Sequence, residues 1–250
     1  MARKKIVLVL VEGSSDDTAL GVILNRLFDK NKVHIEILHG DITADYSIEP
    51  KDIVSAIGNI VKDYANSMHF SQVHFQQVIH IVDMDGAYVP DSCIIENANA
   101  LKPKYSLTAI QTARPDQLIL RNNHKKEKLN RISNLKNVWV SIPYQAYYMS
   151  SNLDHALYGK LNSTDEEKEN DAYEFAKKYK DNIDGFLSFI SDSGFSKTGD
   201  YKESWEFIKK DLHSLERYTN LGICFEEIRK EREKQQDKDL LENTGVEKNQ

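Results

Sequence analysis

The sequence predicts an α/β fold with a mostly parallel central sheet flanked by helices. Two observations lead to this prediction. Apolar runs without alternation, IVLVLV from Ile6 and QVIHIV from Gln77, are typical of strands that are buried on both faces. Segments with apolar residues at helical spacing separate those strands, and this alternation is expected of a parallel sheet.

Helices and further strands follow in order along the chain. The first helix begins at Ser15, a residue type that caps helices, and places five apolar residues at helical spacing: Ala19, Val22, Ile23, Leu27 and Phe28. The second strand is KVHIEILHGD, the second helix is PKDIVSAIGNIVKDYAN with proline in its first turn, and the third strand is QQVIHIVDMDG. After Gly86 we expect a strand SLTAIQT, a basic helix RNNHKKEKLNRISN and a core strand NVWVSIP.

The second half of the chain is predicted to be helical. Residues 151–234 contain successive segments with apolar residues at helical spacing, among them DEEKENDAYEFAKKYKD, IDGFLSFISD and YKESWEFIKKDLHSL. Residues 235–250 are polar, so we expect them to be a disordered tail. The sequence therefore divides into a sheet domain at 1–150, a helical C-terminal extension at 151–234 and a tail at 235–250.

Composition excludes several classes of protein. The 250 residues carry a net charge of -6, so any affinity for nucleic acid would have to come from a local basic patch. Two cysteines, Cys93 and Cys224, are too few for a disulfide framework and lie outside any zinc-ligand spacing. No apolar run approaches the roughly 20 residues of a membrane span, and MARKKIVLVLV is too short for a signal peptide. We therefore expect a cytoplasmic protein with no membrane partner.

Acidic residues stand where two of the predicted strands end. Glu12 follows the first strand, and Asp83 and Asp85 follow the third. Ligands bind beyond the carboxyl ends of strands in open α/β sheets, so we expect these side chains to converge, with Met84 pointing away between the aspartates. Crowded carboxylates repel one another, and Mg²⁺, or Mn²⁺ in its place, relieves that repulsion through oxygen ligands. The sequence therefore predicts a divalent metal site suited to phosphoryl transfer.

Asp16 and two glycines accompany this predicted site. Asp16 lies four residues after Glu12 at the start of the first helix, where it could cap the helix or act as a further acid of the site. Both interpretations stay open. Gly13 and Gly86 each follow an acid and let a backbone or a phosphate approach closely.

The stretch VLVEGSSDDTAL together with IHIVDMDG resembles the TOPRIM domain. This is the metal-binding α/β module of topoisomerases, bacterial primases, small RNA-maturation nucleases and nucleases of the overcoming-lysogenization-defect type. The resemblance covers residues 5–150 and implies a TOPRIM-like sheet, acid/base chemistry or metal binding at Glu12, and Mg²⁺ binding at Asp83 and Asp85. Asp16 matches the acid found four residues after the glutamate in the nuclease branch, so the resemblance adds it to the metal ligands.

A second segment, YYMSSNLDHAL, is similar to the S-N-P-x-F-E segment of RloB-like TOPRIM proteins from bacterial defence loci. The similarity makes Ser151 and Asn152 candidate substrate contacts. Ala156 falls where the acid is expected, and Asp154, two residues earlier, is the nearby acid. The resemblance implies an effector of abortive infection against phage that works with an ATPase. This sequence has no G-x-x-x-x-G-K-[ST] motif, so the ATPase would be a separate subunit.

One segment of the chain is strongly basic. Between positions 121 and 136 there are six Lys or Arg residues and a single acid. Such a local excess favours a surface that faces phosphates, although a solvated helix face is the alternative. The residues expected to contact nucleic acid are Arg121, Lys125, Lys126, Lys128 and Arg131. No RNP-like or zinc-finger motif accompanies them, so the contacts would be to the nucleic-acid backbone.

The helical half is expected to mediate assembly. Its amphipathic helices, with YKESWEFIKKDL as the favoured surface, are predicted to dock the ATPase or to pair two copies of this chain. The sequence as a whole thus predicts a Mg²⁺-dependent endonuclease that cuts DNA or RNA, with tRNA as a candidate substrate.

Two other functions stay open. A non-catalytic TOPRIM-like subunit would bind a partner through the helical half without turnover. A phosphatase of the haloacid dehalogenase type carries a D-x-D-G-T motif that DMDGA partly imitates. That family has the motif on its first strand, however, and Glu12 would then have no role.

Overall fold

A computed structural model describes residues 4–30, 32–192 and 194–245. A five-stranded sheet with the order β2-β1-β3-β8-β7 forms the centre of the molecule. The strands are β1 (Lys5–Val11), β2 (Val33–His39), β3 (Phe75–Asp83), β7 (Asn137–Val138) and β8 (Ile142–Met149). Only the short edge strand β7 is antiparallel to its neighbour among these strands. The predicted α/β fold with a mostly parallel sheet is therefore confirmed.

The first strand shows why its sequence lacks alternation. Val7 and Val9 belong to the core on one face of the sheet, whereas Leu8 and Leu10 belong to the core on the other. Successive side chains of a strand point to opposite faces, so a strand that is covered on both sides needs apolar residues at every position. Each such buried side chain contributes roughly 1.5–3 kcal/mol of hydrophobic stabilisation.

Helices from both halves of the chain cover one face of the sheet. This layer consists of α1 (Ser14–Leu27), α4 (Leu153–Tyr158), α5 (Asp165–Tyr179), α6 (Ile183–Ile190) and α8 (Leu221–Gly245). Phe175, Phe186 and Phe225 pack with the valines of β1 in a single cluster. Helices that lie more than a hundred residues apart in sequence therefore share one core.

The opposite face is covered by α2 (Ile53–Ser67), α3 (Pro115–Ile132) and α7 (Tyr201–Ile208). Trp205 and Ile208 of α7 are buried there, and Nε1 of Trp205 donates a hydrogen bond to the backbone oxygen of Ala146 at 3.3 Å. The apolar side of YKESWEFIKKDL thus packs inside the chain. The prediction of a docking surface at these apolar residues is wrong, because the parallel sheet needs cover on both faces and α7 supplies part of it.

A small three-stranded sheet lies between β3 and α3 in sequence. It comprises β4 (Ile94–Glu96), β5 (Lys104–Tyr105) and β6 (Ile110–Thr112), in the order β4-β6-β5. The last of these falls within the predicted strand SLTAIQT. Leu118 of α3 and Leu215 pack beneath this sheet.

The end of the chain differs from the prediction. Helix α8 continues through Gly245, past position 235 where we expected a disordered tail to begin, and residues 246–250 lie outside the described residues. The segment KQQDKDLLENT contains strong helix formers and no proline, so an established helix can propagate through it. Within the described ranges, no helix combines the length and apolar character that crossing a membrane requires.

Candidate functional site

Three carboxylates meet beyond the carboxyl ends of three neighbouring parallel strands. Glu12 follows β1, Asp41 follows β2 by way of Gly40, and Asp85 follows β3. One ligand oxygen from each lies within 4.8 Å of the other two. Parallel strands bring their carboxyl ends to one edge of the sheet, so residues far apart in sequence converge there. Together with Lys125 they form what we call the α3-side cluster.

Lys125 from α3 lies beside these carboxylates and is fully buried. Its Nζ is 2.5 Å from Oδ2 of Asp85 and 3.6 Å from Oε1 of Glu12. Burial lowers the pKa of Lys125, but Asp85, Glu12 and Asp41 outweigh burial and hold the pKa above its ordinary value. Lys125 is therefore a permanent cation inside the acidic site.

The two carboxyl groups next to Lys125 respond differently to it. Burial raises the pKa of Asp85, but Lys125 and Arg121 outweigh burial and hold that pKa below its ordinary value. Burial raises the pKa of Glu12 to about 8 in spite of Lys125, with Asp41 and Asp85 raising it further. At neutral pH Lys125 thus pairs with an ionised Asp85, and Glu12 holds a proton unless another cation binds.

Thr43 connects Glu12 to Asp41. Its buried Oγ1 is 3.1 Å from Oε1 of Glu12 and 3.1 Å from Oδ1 of Asp41. A hydroxyl has one proton to donate, so Thr43 can donate it to Glu12 or to Asp41. The same Oε1 accepts the backbone N–H of Asp83 at 3.0 Å, which ties β1 to the end of β3.

A second acidic group lies on the other side of the same sheet edge. Alternation along β3 directs Asp83 to the face that α1 covers. Burial raises the pKa of Asp83 well above its ordinary value, and neighbouring carboxylates that include Asp16 raise it further. Burial also raises the pKa of Asp16 to about 6, with a contribution from Asp154. We call Asp16, Asp83 and Asp154 the α1-side cluster.

Strand alternation does not extend from Asp83 to Asp85. β3 ends at Asp83, and Asp85 and Gly86 have left-handed φ angles of 47° and 64°. The chain turns there, so Asp85 bonds to Lys125 while Asp83 lies on the α1 side. The prediction that both aspartates face one side, with Met84 pointing away between them, is wrong for this reason.

Several contacts fix the turn that carries Asp85. Its backbone N–H donates to the backbone oxygen of Ser151 at 2.8 Å, and Nη2 of Arg121 donates to its backbone oxygen at 2.8 Å. Nδ2 of Asn122 donates to the backbone oxygen of Gly86 at 3.3 Å. The positive φ of Gly86 favours glycine, and a Cβ there would come within 2.7 and 2.8 Å of the terminal methyl groups of buried isoleucine and leucine side chains, which would have to move.

Asp16 has a structural role that the sequence anticipated. Its Oδ2 accepts the backbone N–H of Gly13, the N-cap residue of α1, at 2.9 Å and so caps the start of that helix. Its position beside Asp83 also leaves the interpretation as a further acid of the site open.

The SSNLD segment lies beside this edge, with a different role for each residue. Asn152 caps α4, because its Oδ1 accepts the backbone N–H of His155 at 3.0 Å. Oγ of Ser151 and Oδ1 of Asp154 are buried without a hydrogen-bond partner in the described parts of the chain. Oδ2 of Asp154 is 3.7 Å from Nζ of Lys168. Ser151 and Asp154 therefore hold unused polar atoms near the site, whereas Asn152 serves α4.

The basic helix is not one continuous surface. Lys125 and Lys128 are buried, and Nζ of Lys128 donates to the backbone oxygen of Asp45 at 2.6 Å. These two lysines therefore cannot belong to the predicted nucleic-acid surface, because their ammonium groups bond to oxygen atoms inside the protein. Arg131 is exposed and Lys126 is partly exposed.

Sequence reasoning missed two members of the α3-side cluster in their present roles. Asp41 follows a predicted strand and a glycine, as GD after KVHIEILH, which is the same signal that drew attention to Glu12 and Asp85. The basic run predicts a surface position for Lys125, because a count of charges along a helix does not show which face lies inward. Both errors concern which strand ends and helix faces meet in the folded chain.

Comparison with protein-family models, with curated proteins and with solved structures found no match.

Proposed function

We propose that this chain is a Mg²⁺-dependent enzyme that hydrolyses phosphodiester bonds in DNA or RNA. The observation that carries the proposal is the convergence of Glu12, Asp41 and Asp85 within 4.8 Å at the carboxyl edge of the sheet. Carboxylate oxygens are the ligands that Mg²⁺ and Mn²⁺ prefer. Ligand sites of open α/β sheets lie at this edge.

The residues present fit a divalent cation. Burial raises the pKa of Glu12 to about 8 and Asp41 and Asp85 raise it further, whereas Lys125 and Arg121 favour the ionised form of Asp85. A cation held by Glu12, Asp41 and Asp85 would release the proton of Glu12. When bound, Mg²⁺ supplies charge stabilisation to a phosphate oxygen and lowers the pKa of a water molecule.

The chain's own residues support such chemistry. Lys125 places a fixed positive charge next to the acids, where it can stabilise negative charge that develops on a phosphate. Burial raises the pKa of Glu12 to about 8 without a cation, so Glu12 would give up its proton when it becomes a ligand of the metal. Arg121 contributes a second cation and holds the backbone of Asp85 in place.

The same cluster also favours a non-catalytic alternative. Lys125 already neutralises Asp85, so the group can exist as a buried ion pair with a protonated Glu12 and no metal. A TOPRIM-like subunit that binds a partner without turnover would need only this structural role. Measurements of Mg²⁺ binding and of cleavage distinguish the two functions, because only the enzyme needs both.

The biological setting rests on the sequence resemblance. A role as effector of a bacterial anti-phage defence system, with a separate ATPase subunit or a second copy of this chain as partner, stays a proposal, as does a cytoplasmic location. A partner surface would have to avoid the apolar side of α7, since Trp205 and Ile208 are buried within the chain.

The test is cleavage of end-labelled single-stranded and duplex DNA and RNA with Mg²⁺, with Mn²⁺ and with EDTA. We expect metal-dependent cleavage that Asp85→Asn and Asp41→Asn each reduce at least 100-fold. Asp45→Asn is the matched control, because Asp45 lies on the same loop as Asp41 but its side chain accepts hydrogen bonds from Ser47. Full activity in Asp85→Asn would refute the site, and absence of both cleavage and Mg²⁺ binding would favour the non-catalytic subunit.

A further inference from the structure

A pocket of about 540 Å³ opens beside the start of α3. Its walls come from the loop after β2, the turn between β4 and β5, and the first two turns of α3. Ligand pockets in proteins typically measure roughly 300–1,000 Å³, so this one has room for a single nucleotide.

The charged residues of this pocket all carry the same sign. Lys102, Arg114 and Arg121 line it, and no acidic residue of the described chain does so. The chain as a whole has a net charge of -6, so three cations without a carboxylate form a local exception. Tyr46 and Leu101 add apolar surface to the same walls. Cationic and aromatic groups in one groove are the combination that binds phosphates and bases.

The pocket adjoins the α3-side cluster through α3. Arg121 lines the pocket, and its Nη2 donates to the backbone oxygen of Asp85 at 2.8 Å. Lys125 lies one helical turn further along the same face, about 6 Å along the axis, and bonds to the side chain of Asp85. A ligand that contacts Arg121 from the pocket therefore lies next to the acidic cluster.

Tyr46 is an exposed aromatic ring that the fold holds in place. Its ring stacks on His124 of α3 with centroids 5.5 Å apart, and 54% of the residue is exposed. Lys128 fastens the Tyr46 loop to α3, since its Nζ donates to the backbone oxygen of Asp45 at 2.6 Å. A ring that is fixed before binding loses little conformational entropy when a ligand stacks on it.

We infer that this pocket binds one nucleotide of a single-stranded nucleic acid, with its base against Tyr46 and its phosphates against Lys102, Arg114 and Arg121. The strand then continues past Arg121 to the α3-side cluster. This inference rests on the proposed function, because it names the form of substrate that the same site receives. A paired and stacked base of a duplex could not enter a pocket of this kind without leaving its helix.

The test measures binding without cleavage. Fluorescence anisotropy of a labelled 12-nucleotide single strand in EDTA gives the Kd of the full chain and of its variants. We expect Tyr46→Ala to weaken binding about tenfold through lost stacking. Arg114→Ala should lower the slope of log Kd against log salt by about 0.7, the value for one phosphate contact on a single strand.

Matched controls come from another helix. Tyr173 and Lys177 on α5 are exposed and form a comparable pair, with Nζ of Lys177 at 5.8 Å from the ring of Tyr173. Tyr173→Ala and Lys177→Ala should bind the strand as the parent does. For the parent protein, a strand with an abasic position should bind more weakly than an unmodified strand. For the Tyr46→Ala variant, this difference in Kd should be smaller.

The outcomes separate this inference from the proposed function. Strand binding that pocket variants weaken, without any Mg²⁺-dependent cleavage, would support the pocket and refute the nuclease. If the protein cleaves and the pocket variants bind the strand as tightly as the parent, the nuclease is supported and the pocket assignment is overturned. Equal affinity for a fully paired duplex, with equal losses in the variants, would overturn the single-strand assignment.

Discussion

The two acidic clusters at the sheet edge contain similar residues but differ in how their charge is compensated. In the α3-side cluster, the fully buried Lys125 lies 2.5 Å from Asp85 and 3.6 Å from Glu12. In the α1-side cluster, Nζ of Lys168 lies 3.7 Å from Asp154, and 35% of the lysine side chain is exposed. Oδ1 of Asp154 has no hydrogen-bond partner among the described residues.

This difference shows that carboxylates gathered at a strand edge need not share one purpose. A buried lysine keeps Asp85 ionised, whereas the α1-side acids respond to burial by raised pKa values. The first cluster therefore contains a fixed ion pair of Lys125 with Asp85 beside Glu12, whose pKa burial raises to about 8. In the second cluster, burial raises the pKa of all three acids. Four measurements test this difference between the two clusters.

The largest effect is expected from removing the buried cation. Lys125→Met would remove the ion-pair partner of the Asp85 carboxylate, and loss of one member of a buried ion pair costs about 3–5 kcal/mol. Urea denaturation of the metal-free protein measures this loss. Lys168→Met is the matched control and should cost less than about 1 kcal/mol, because its pair is longer and partly exposed. Equal losses in both variants would contradict the distinction between the clusters.

Added Mg²⁺ should stabilise the protein through the α3-side cluster. At a concentration 100 times its Kd, a ligand that binds only the folded state contributes about 2.7 kcal/mol to the free energy of unfolding. We expect Asp41→Asn to abolish this gain and Asp154→Asn to retain it. Thermal unfolding with and without Mg²⁺ measures the gain. The reverse pattern would move the metal to the α1-side cluster.

Asp16 should make stability depend on pH. Its pKa is raised to about 6 in the folded state, so its contribution is most favourable below the unfolded value near 4 and is lost as the pH rises to about 6. Asn in place of Asp16 can still accept the N–H of Gly13 but cannot ionise. Asp16→Asn should therefore gain about 2 kcal/mol relative to the parent between pH 4 and pH 7. A difference between the two proteins that does not change with pH would exclude this role.

The smallest effect concerns Thr43. Thr43→Val removes the hydroxyl that contacts both Glu12 and Asp41 while it keeps the side-chain shape, which should cost about 1 kcal/mol of stability. Groups that orient metal ligands typically change metal affinity by roughly 10-fold or more, so the Kd for Mg²⁺ should rise by that factor. Calorimetric titration measures it, with the exposed Thr198→Val as control. An unchanged Kd would separate Thr43 from the metal site.

Much of the fold could be predicted from local pattern. The apolar runs at β1 and β3 identified buried strands, and the helical spacing between them indicated the alternation of a parallel sheet. Helices form within residues 151–234 as predicted and cover the sheet, although the predicted helix YKESWEFIKKDLHSL ends at Ile208. Helical period shows which side of a helix is apolar, and it carries no information about what that side contacts.

The candidate site was only partly predictable. Glu12 and Asp85 were identified because an acid after a buried strand is unusual, and the same signal was present but unused at Asp41. The turn at Asp85 and Gly86, with both φ angles positive, separated Asp85 from Asp83. A pattern of alternating residues cannot show where a strand stops, because the end of β3 depends on its hydrogen bonds to β8.

The sequence by itself determined the elements and the supply of charge: buried strands that end in acids, a basic helix and amphipathic helices. Only the tertiary structure decided how these charges pair. Lys125 lies within a basic run of the sequence, yet it is buried against Asp85, forty residues earlier in the chain. Electrostatic energy depends on distance and burial, and for residues so far apart both are set when the sheet and its covering helices pack.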